Sequence, residues 1–152
     1  MKIRTLLVAT DFSDHAETAL DTAIELARTF GARIHVVHAF DVPLPFISPY
    51  EVAIPDAYLE ATQQEALRRL AACAERVSVA GVAVESHLSE VPAGPAIARA
   101  AEELAADLIV MGTRGRTGLK HVVLGSVADR TLRLAPCSVL TVKKPGGETD
   151  SA

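Results

Sequence analysis

The spacing of apolar and polar positions changes from segment to segment along this chain, and the changes mark out its elements. Residues 3–10 (Ile-Arg-Thr-Leu-Leu-Val-Ala-Thr) form a near-continuous apolar run, as a strand covered on both faces does. Over 14–30 the apolar residues Ala16, Ala19, Leu20, Ala23, Ala27 and Phe30 recur at helical spacing, with Glu17, Asp21, Glu25 and Arg28 between them. Ser13 or Asp14 is placed to cap that helix and Gly31 to stop it. Residues 33–39 (Arg-Ile-His-Val-Val-His-Ala) predict a second strand. Pro43, Pro45, Pro49 and Pro55 rule out a regular helix over 40–55, which reads as a long loop or a lid.

A second helix is predicted over 56–79, where Leu59, Ala66, Leu67, Leu70, Ala74 and Val77 are spaced by threes, fours and sevens, and Gly81 ends it. Residues 82–88 alternate like a strand. Pro92 and Pro95 open a helix expected to run to about Ala106, with Ile97, Ala100, Ala101 and Leu104 inward. Residues 107–112 (Asp-Leu-Ile-Val-Met-Gly) predict a fourth strand, a helix follows from Gly125-Ser126 to before Pro136, and 138–143 predict a fifth strand. Five strands alternating with four helices imply an α/β fold: a mostly parallel sheet with helices on both faces. In such sheets ligands bind at the carboxyl ends of the strands, where the strand order reverses. That rule points to 10–13, 39–46 and 111–118.

Composition narrows the function. The 152 residues carry a net charge of −4, lack Trp, and place all six Phe and Tyr at or before Tyr58. An acidic chain with few rings lacks both the charge and the stacking platforms of a sequence-blind nucleic-acid binder. No run approaches the roughly 20 apolar residues of a membrane span, and the amino-terminal run is too short for a signal-peptide core. Cys73 and Cys137 stand far apart, form no C-x-x-C pair and read as small buried hydrophobes. The expectation is a cytoplasmic protein that binds neither nucleic acid nor membrane. One domain over 1–144 is expected, with a frayed, Gly-rich tail over 145–152.

Candidate chemistry is concentrated after the fourth strand. Gly112-Thr113-Arg114-Gly115, nine further residues and Gly125-Ser126 form the pattern G-x-x-G-x(9)-G-S. Glycines let main-chain N–H groups close around a phosphate. A helix opening at Gly125-Ser126 presents unpaired N–H groups and a favourable dipole to an anion. Arg114, Arg116 and Lys120 add positive charge. Two ligand-free explanations stay open at this level: Ser126 with Asp129 matches a capping box, and glycines after a strand also serve simple turns. Arg114 and Arg116 read equally well as phosphate partners or as solvated charges.

The run Leu108-Ile109-Val110-Met111-Gly112-Thr113-Arg114-Gly115-Arg116-Thr117-Gly118-Leu119 resembles the universal stress protein family. So do Leu124-Gly125-Ser126-Val127-Ala128, Ala135-Pro136-Cys137-Ser138-Val139-Leu140 and the opening Ala9-Thr10-Asp11-Phe12-Ser13. The resemblance covers nearly the whole chain in order and length, and is weakest over 40–55. It implies a five-stranded parallel sheet of order 3-2-1-4-5, Rossmann-like and of the adenine nucleotide alpha hydrolase-like kind. Asp11 would then stand beside Gly112. Family members with the complete glycine pattern typically bind ATP, so the resemblance implies an ATP-binding, nucleotide-dependent regulatory module of a stress response.

By that resemblance Gly112, Gly115, Gly125 and Ser126 hold phosphates and ribose, and Val127 and Ala128 lend main chain at the phosphate end. Asp11 accepts from a ribose hydroxyl or, without a ligand, serves as a helix cap. Ala9 and Thr10 line the same turn. Ala39 offers main-chain groups to the adenine edge, Met111 packs on the ring, and Arg114 neutralises phosphate; ordinary core packing is the alternative for Ala39 and Met111. Mg²⁺ would be held through the phosphates, with Asp11. The family also implies a two-fold dimer through the last strand, at a sheet edge.

Other functions are less well supported by the residues. There is no G-x-x-x-x-G-K-[ST] sequence, so a P-loop mechanism is absent. A slow ATPase and a nucleotide-free interaction dimer stand as alternatives. His35 and His38, three apart in a strand, should face opposite sides, so the pair is not expected to chelate a metal. Divided by region, Gly112 to Arg133 holds five basic residues against one acidic, and the remainder is strongly acidic. A local basic site on an acidic body attracts a small phosphate and repels a polyanion. With so few rings, an adenine would be held by main chain and aliphatic side chains.

Overall fold

The computed structural model describes residues 2–40, 55–115 and 124–145. The loop expected over 40–55 and the tail after Pro145 fall almost entirely outside them, as do Arg116 and Lys120. In chain order the elements are β1 (Thr5–Ala9), α1 (Asp14–Phe30), β2 (Arg33–Ala39), α2 (Asp56–Val79), β3 (Val84–Ser89), α3 (Ala93–Glu103), β4 (Leu108–Gly112), α4 (Ser126–Leu134) and β5 (Ser138–Val142). The strands make one parallel sheet in the order β3-β2-β1-β4-β5, as the family resemblance implied.

Alternation along the strands divides the core in two. Leu6 and Val8 face α1 and α2 with Ile34, Val36, Leu108 and Val110. Leu7 and Ala9 face α3 and α4 with Val37, Ile109 and Met111. This double coverage explains the unbroken apolar run of β1, whose Leu6, Leu7 and Val8 are all at 0% exposure. Each such side chain contributes roughly 1.5–3 kcal/mol by leaving water. Both edge strands are more open: β3 exposes Glu85 and Ser86, and β5 exposes Ser138 and Leu140.

Three helices end alike, and one of them ends earlier than expected. After α1, Gly31 takes a left-handed conformation (φ 65°) and Ala32 N–H donates to the Ala27 carbonyl. After α2, Gly81 (φ 82°) plays the same part, with Gly81 N–H on Ser78 and Val82 N–H on Val77. After α3 the identical pair of bonds, Ala105 N–H to Glu102 and Ala106 N–H to Ala101, closes the helix around Ala105 at φ 48°. This is the Schellman arrangement. Because an alanine occupies the position that glycine normally marks, the pattern suggested a helix to Ala106 where the structure stops at Glu103.

The amino end of the sheet is tied by a single carboxylate. Asp107 accepts the main-chain N–H of Arg4 (2.8 Å) and Thr5 (3.0 Å), joining the start of β1 to the start of β4. These two bonds hold its carboxyl below the usual carboxylate range.

Candidate functional site

The chain runs β1, β2, β3 toward one edge and then returns to β4 and β5 on the other side of β1, so the strand order reverses between β1 and β4. A cleft of about 490 Å³ opens there, at the carboxyl ends of the strands. Its lining includes Ala9, Thr10, Asp11, Ala39, Met111, Gly112, Arg114, Gly115, Gly125, Ser126, Val127 and Ala128. The residues expected from the sequence therefore converge on one space, although they come from four separate stretches of chain.

The turn after β1 is held by its own side chains. Thr10 N–H donates to the Val37 carbonyl at 2.9 Å, tying the turn to β2. Thr10 Oγ1 accepts Phe12 N–H at 3.0 Å, and Asp11 Oδ1 accepts Ser13 N–H at 3.0 Å. Ser13 Oγ in turn accepts Ala16 N–H and caps α1. Asp11 is thus both a turn former and a cleft residue. Between them Phe12 is forced to φ 62°, a conformation rare for a bulky residue. Its ring packs 4.4 Å from His38 and lies beneath the Arg69 guanidinium at 5.0 Å. His38 Nδ1 lies 2.8 Å from the Thr10 carbonyl. A carbonyl only accepts, so Nδ1 carries the proton.

The loop after β4 comes within contact distance of this turn because glycine leaves room. A Cβ on Gly115 would stand 2.9 Å from Asp11 Oδ2, and one on Gly112 would stand 2.9 Å from His15 Cβ. Gly125 N–H donates to the Thr113 carbonyl at 2.7 Å, closing the loop at the mouth of α4. Gly125 is the N-cap of α4, with no side-chain hydrogen bond to the helix, and Asp129 instead pairs with Arg133 at 3.1 Å. The capping box that Ser126 and Asp129 suggested is not formed. Ser126, Val127 and Ala128 occupy the first helical turn, whose N–H groups have no acceptor within the helix, and all three line the cleft.

Several lining residues escaped the sequence reading. Thr62, Glu65 and Arg69 of α2 form one wall, and Ala93 and Ile97 border another part. On α2 the polar residues have the spacing of a solvent face, and only packing decides which of them look into a cleft. Phe12, His38 and Phe40 also line it, so the space is not free of rings. Their signal was their position: each adjoins a strand end that the topological rule had already marked. Of the five basic residues expected between Gly112 and Arg133, three are described. Arg114 reaches the cleft, Arg133 pairs with Asp129, and Arg130 packs its stem against Gly94. Glu65 is held below the usual carboxylate range by its hydrogen bond to Arg68, with the Arg69 charge adding to the effect.

The histidines diverge as β geometry requires: His38 turns toward the cleft, and His35 turns to the other face of the sheet, against His87. Cys73 is buried and Cys137 half-buried, both as free thiols that burial pushes up. No described helix is long and apolar enough to cross a membrane.

Residues 2–143 match the model of the universal stress protein family. The chain belongs to that family. A universal stress protein of Methanocaldococcus jannaschii is 40% identical over 147 residues, spanning 94% of this chain and 84% of its own length. Among solved structures, the universal stress protein of Archaeoglobus fulgidus in complex with dAMP is 27% identical, with a TM-score of 0.66 over 94% of this chain and 100% of that one. A universal stress protein in complex with cAMP is 25% identical, with a TM-score of 0.64 over 93% and 98% of the two chains.

Proposed function

We propose that this protein is an ATP-binding universal stress protein, a cytoplasmic module whose nucleotide-bound state regulates a stress response. The observation that carries this reading is the convergence of Asp11, Gly112, Gly115, Gly125 and Ser126 on one cleft. Its volume, about 490 Å³, is within the usual range for a small-molecule site. Relatives of the same fold hold dAMP and cAMP.

Each part of the cleft has a role in this reading. The first-turn N–H groups of Ser126, Val127 and Ala128, with the Gly112–Gly115 main chain, take the phosphates. Arg114 supplies positive charge beside them. The Asp11 carboxylate accepts from ribose hydroxyls through charge-assisted bonds. Ala39 main chain meets the adenine edge, and Met111, with Ala9 and Thr10 beneath, supports the ring. Mg²⁺ fits as a companion of the phosphates, with the Asp11 carboxylate as a hard oxygen donor nearby. The protein supplies no P-loop lysine, so binding and signalling are favoured over fast hydrolysis.

Isothermal titration calorimetry with ATP, with and without Mg²⁺, tests the reading. Micromolar affinity is expected, worth about 8 kcal/mol. No heat at millimolar ATP would favour a nucleotide-free module, and phosphate release in the same mixture would mark a slow ATPase.

Residues 1–144 form the family domain in this reading, and 145–152 are its tail. A homodimer through β5 is supported by the open edge of that strand, where Leu140 is 36% exposed. Light scattering at high concentration should give twice the chain mass of 16.1 kDa.

A further inference from the structure

A second cluster of polar side chains lies on the opposite face of the sheet from His38. In the β2–β3 register His35 is opposite Glu85, and Val37 is opposite His87. Side chains two apart on a strand share a face, so His35, Glu85 and His87 project together. His35 Nδ1 lies 3.0 Å from His87 Nε2 and 3.7 Å from Glu85 Oε2, and the three ligand atoms all lie within 4.8 Å of one another.

We propose that His35 Nδ1, His87 Nε2 and a Glu85 carboxylate oxygen bind one Zn²⁺ ion, with solvent at the fourth position. Two imidazoles and one carboxylate are a donor set that suits zinc. A tetrahedral ion with bonds of about 2.0–2.1 Å spaces its ligand atoms roughly 3.3–3.4 Å apart. The two shorter separations in the cluster bracket that spacing. Both strands are regular at these positions, so the donors stand on rigid elements. The graded burial also fits: His35 is buried, His87 half-buried and Glu85 exposed, which leaves a path for the ion and for its fourth ligand.

The two imidazoles now share one hydrogen bond, so one of the facing nitrogens carries a proton. Binding replaces that bond: the donor ring moves its proton to its remote nitrogen, and both facing nitrogens bond the ion. Both rings must be neutral to bind the ion, so binding weakens as acid protonates them. Glu85 supplies a negative charge that attracts a cation. Arg33 adds positive charge and works against the ion, so the site depends on Glu85.

The test uses the full chain stripped with a chelator and titrated with Zn²⁺ by calorimetry, with Co²⁺ absorption as a geometric readout. One ion per chain is expected at low-micromolar affinity or tighter, with the intense visible bands of tetrahedral Co²⁺. His87→Ala should lower Zn²⁺ affinity by more than the roughly 10–100-fold that loss of an outer partner costs, and Glu85→Gln should also lower it. Both residues lie on an edge strand outside the buried core, so circular dichroism should show an intact fold. No saturable binding at millimolar Zn²⁺, or binding undiminished in both His87→Ala and Glu85→Gln, would overturn the site and leave the histidine pair as a hydrogen bond only.

Discussion

The part of the cleft between β4 and the mouth of α4 is built on Gly112, Gly115, Gly125, Ser126 and Ala128, whereas the cluster on β2 and β3 is made of three large polar side chains on the flat of two strands. In the cleft, chemistry comes from what is missing. Gly115 lacks the Cβ that would stand 2.9 Å from Asp11, and the mouth of α4 lacks a side-chain cap. In the cluster, chemistry comes from what the register adds, because His35 and His87 meet across neighbouring strands. A site of the first kind leaves a contiguous spacing in the chain. A site of the second kind leaves none, because its members are 52 positions apart and only strand pairing joins them.

A crossed experiment separates the two regions most strongly. Gly115→Val and Gly125→Val should each lower ATP affinity by about 100-fold or more, close to 3 kcal/mol, and leave Zn²⁺ binding untouched. His87→Ala should do the reverse. Calorimetry of each variant with both ligands measures this, and loss of both affinities in one variant would mean that the regions are a single unit. A smaller effect is expected at Asp11. Asp11→Asn keeps an oxygen for the Ser13 N–H but loses the charge that a ribose hydroxyl would use, so ATP affinity should fall about 10-fold, near 1.4 kcal/mol. An unchanged affinity would reduce Asp11 to its turn-forming role.

Two weaker predictions separate stability from binding by acting away from the cleft. Asp107→Asn should destabilise the fold by about 1 kcal/mol, a figure kept low because the group is solvent-screened. Its folded pKa is depressed, so the contribution is fully present above the unfolded carboxylate value near 3.9 and is lost as pH falls through the lower folded value. Urea unfolding of the two proteins should therefore differ at neutral pH and converge in acid, with ATP affinity at neutral pH unaltered. Ala105→Gly should raise stability by about 0.5 kcal/mol, because relief of the left-handed strain exceeds the entropy that glycine adds to the unfolded chain. Thermal denaturation would show a small upward shift, and a fall would mean that Ala105 is not strained.

Much of this was legible in the chain. Alternation and helical spacing located all nine described elements to within a few residues, because β1 and β4 are covered on both faces and α1 carries a clear apolar stripe. The cleft was legible to the extent that it is local: Gly112, Gly115, Gly125 and Ser126 form a contiguous pattern, and Asp11 ends a strand. The end of α3 carries no mark in the sequence because Ala105 does the work of a glycine. The α2 wall of Thr62, Glu65 and Arg69 was missed because a polar helix face carries no mark that distinguishes solvent from cleft.

The elements, their alternation and the glycine spacing are written into single segments of the chain, since each depends on period and on the conformations a residue permits. Which distant residues meet is set only when the segments pack. Packing brought Arg69 over Phe12, freed the first turn of α4 from the Ser126–Asp129 box, and set His35 against His87. Those contacts depend on how strands register and how helices pack on them, and neither is encoded in the spacing of one segment.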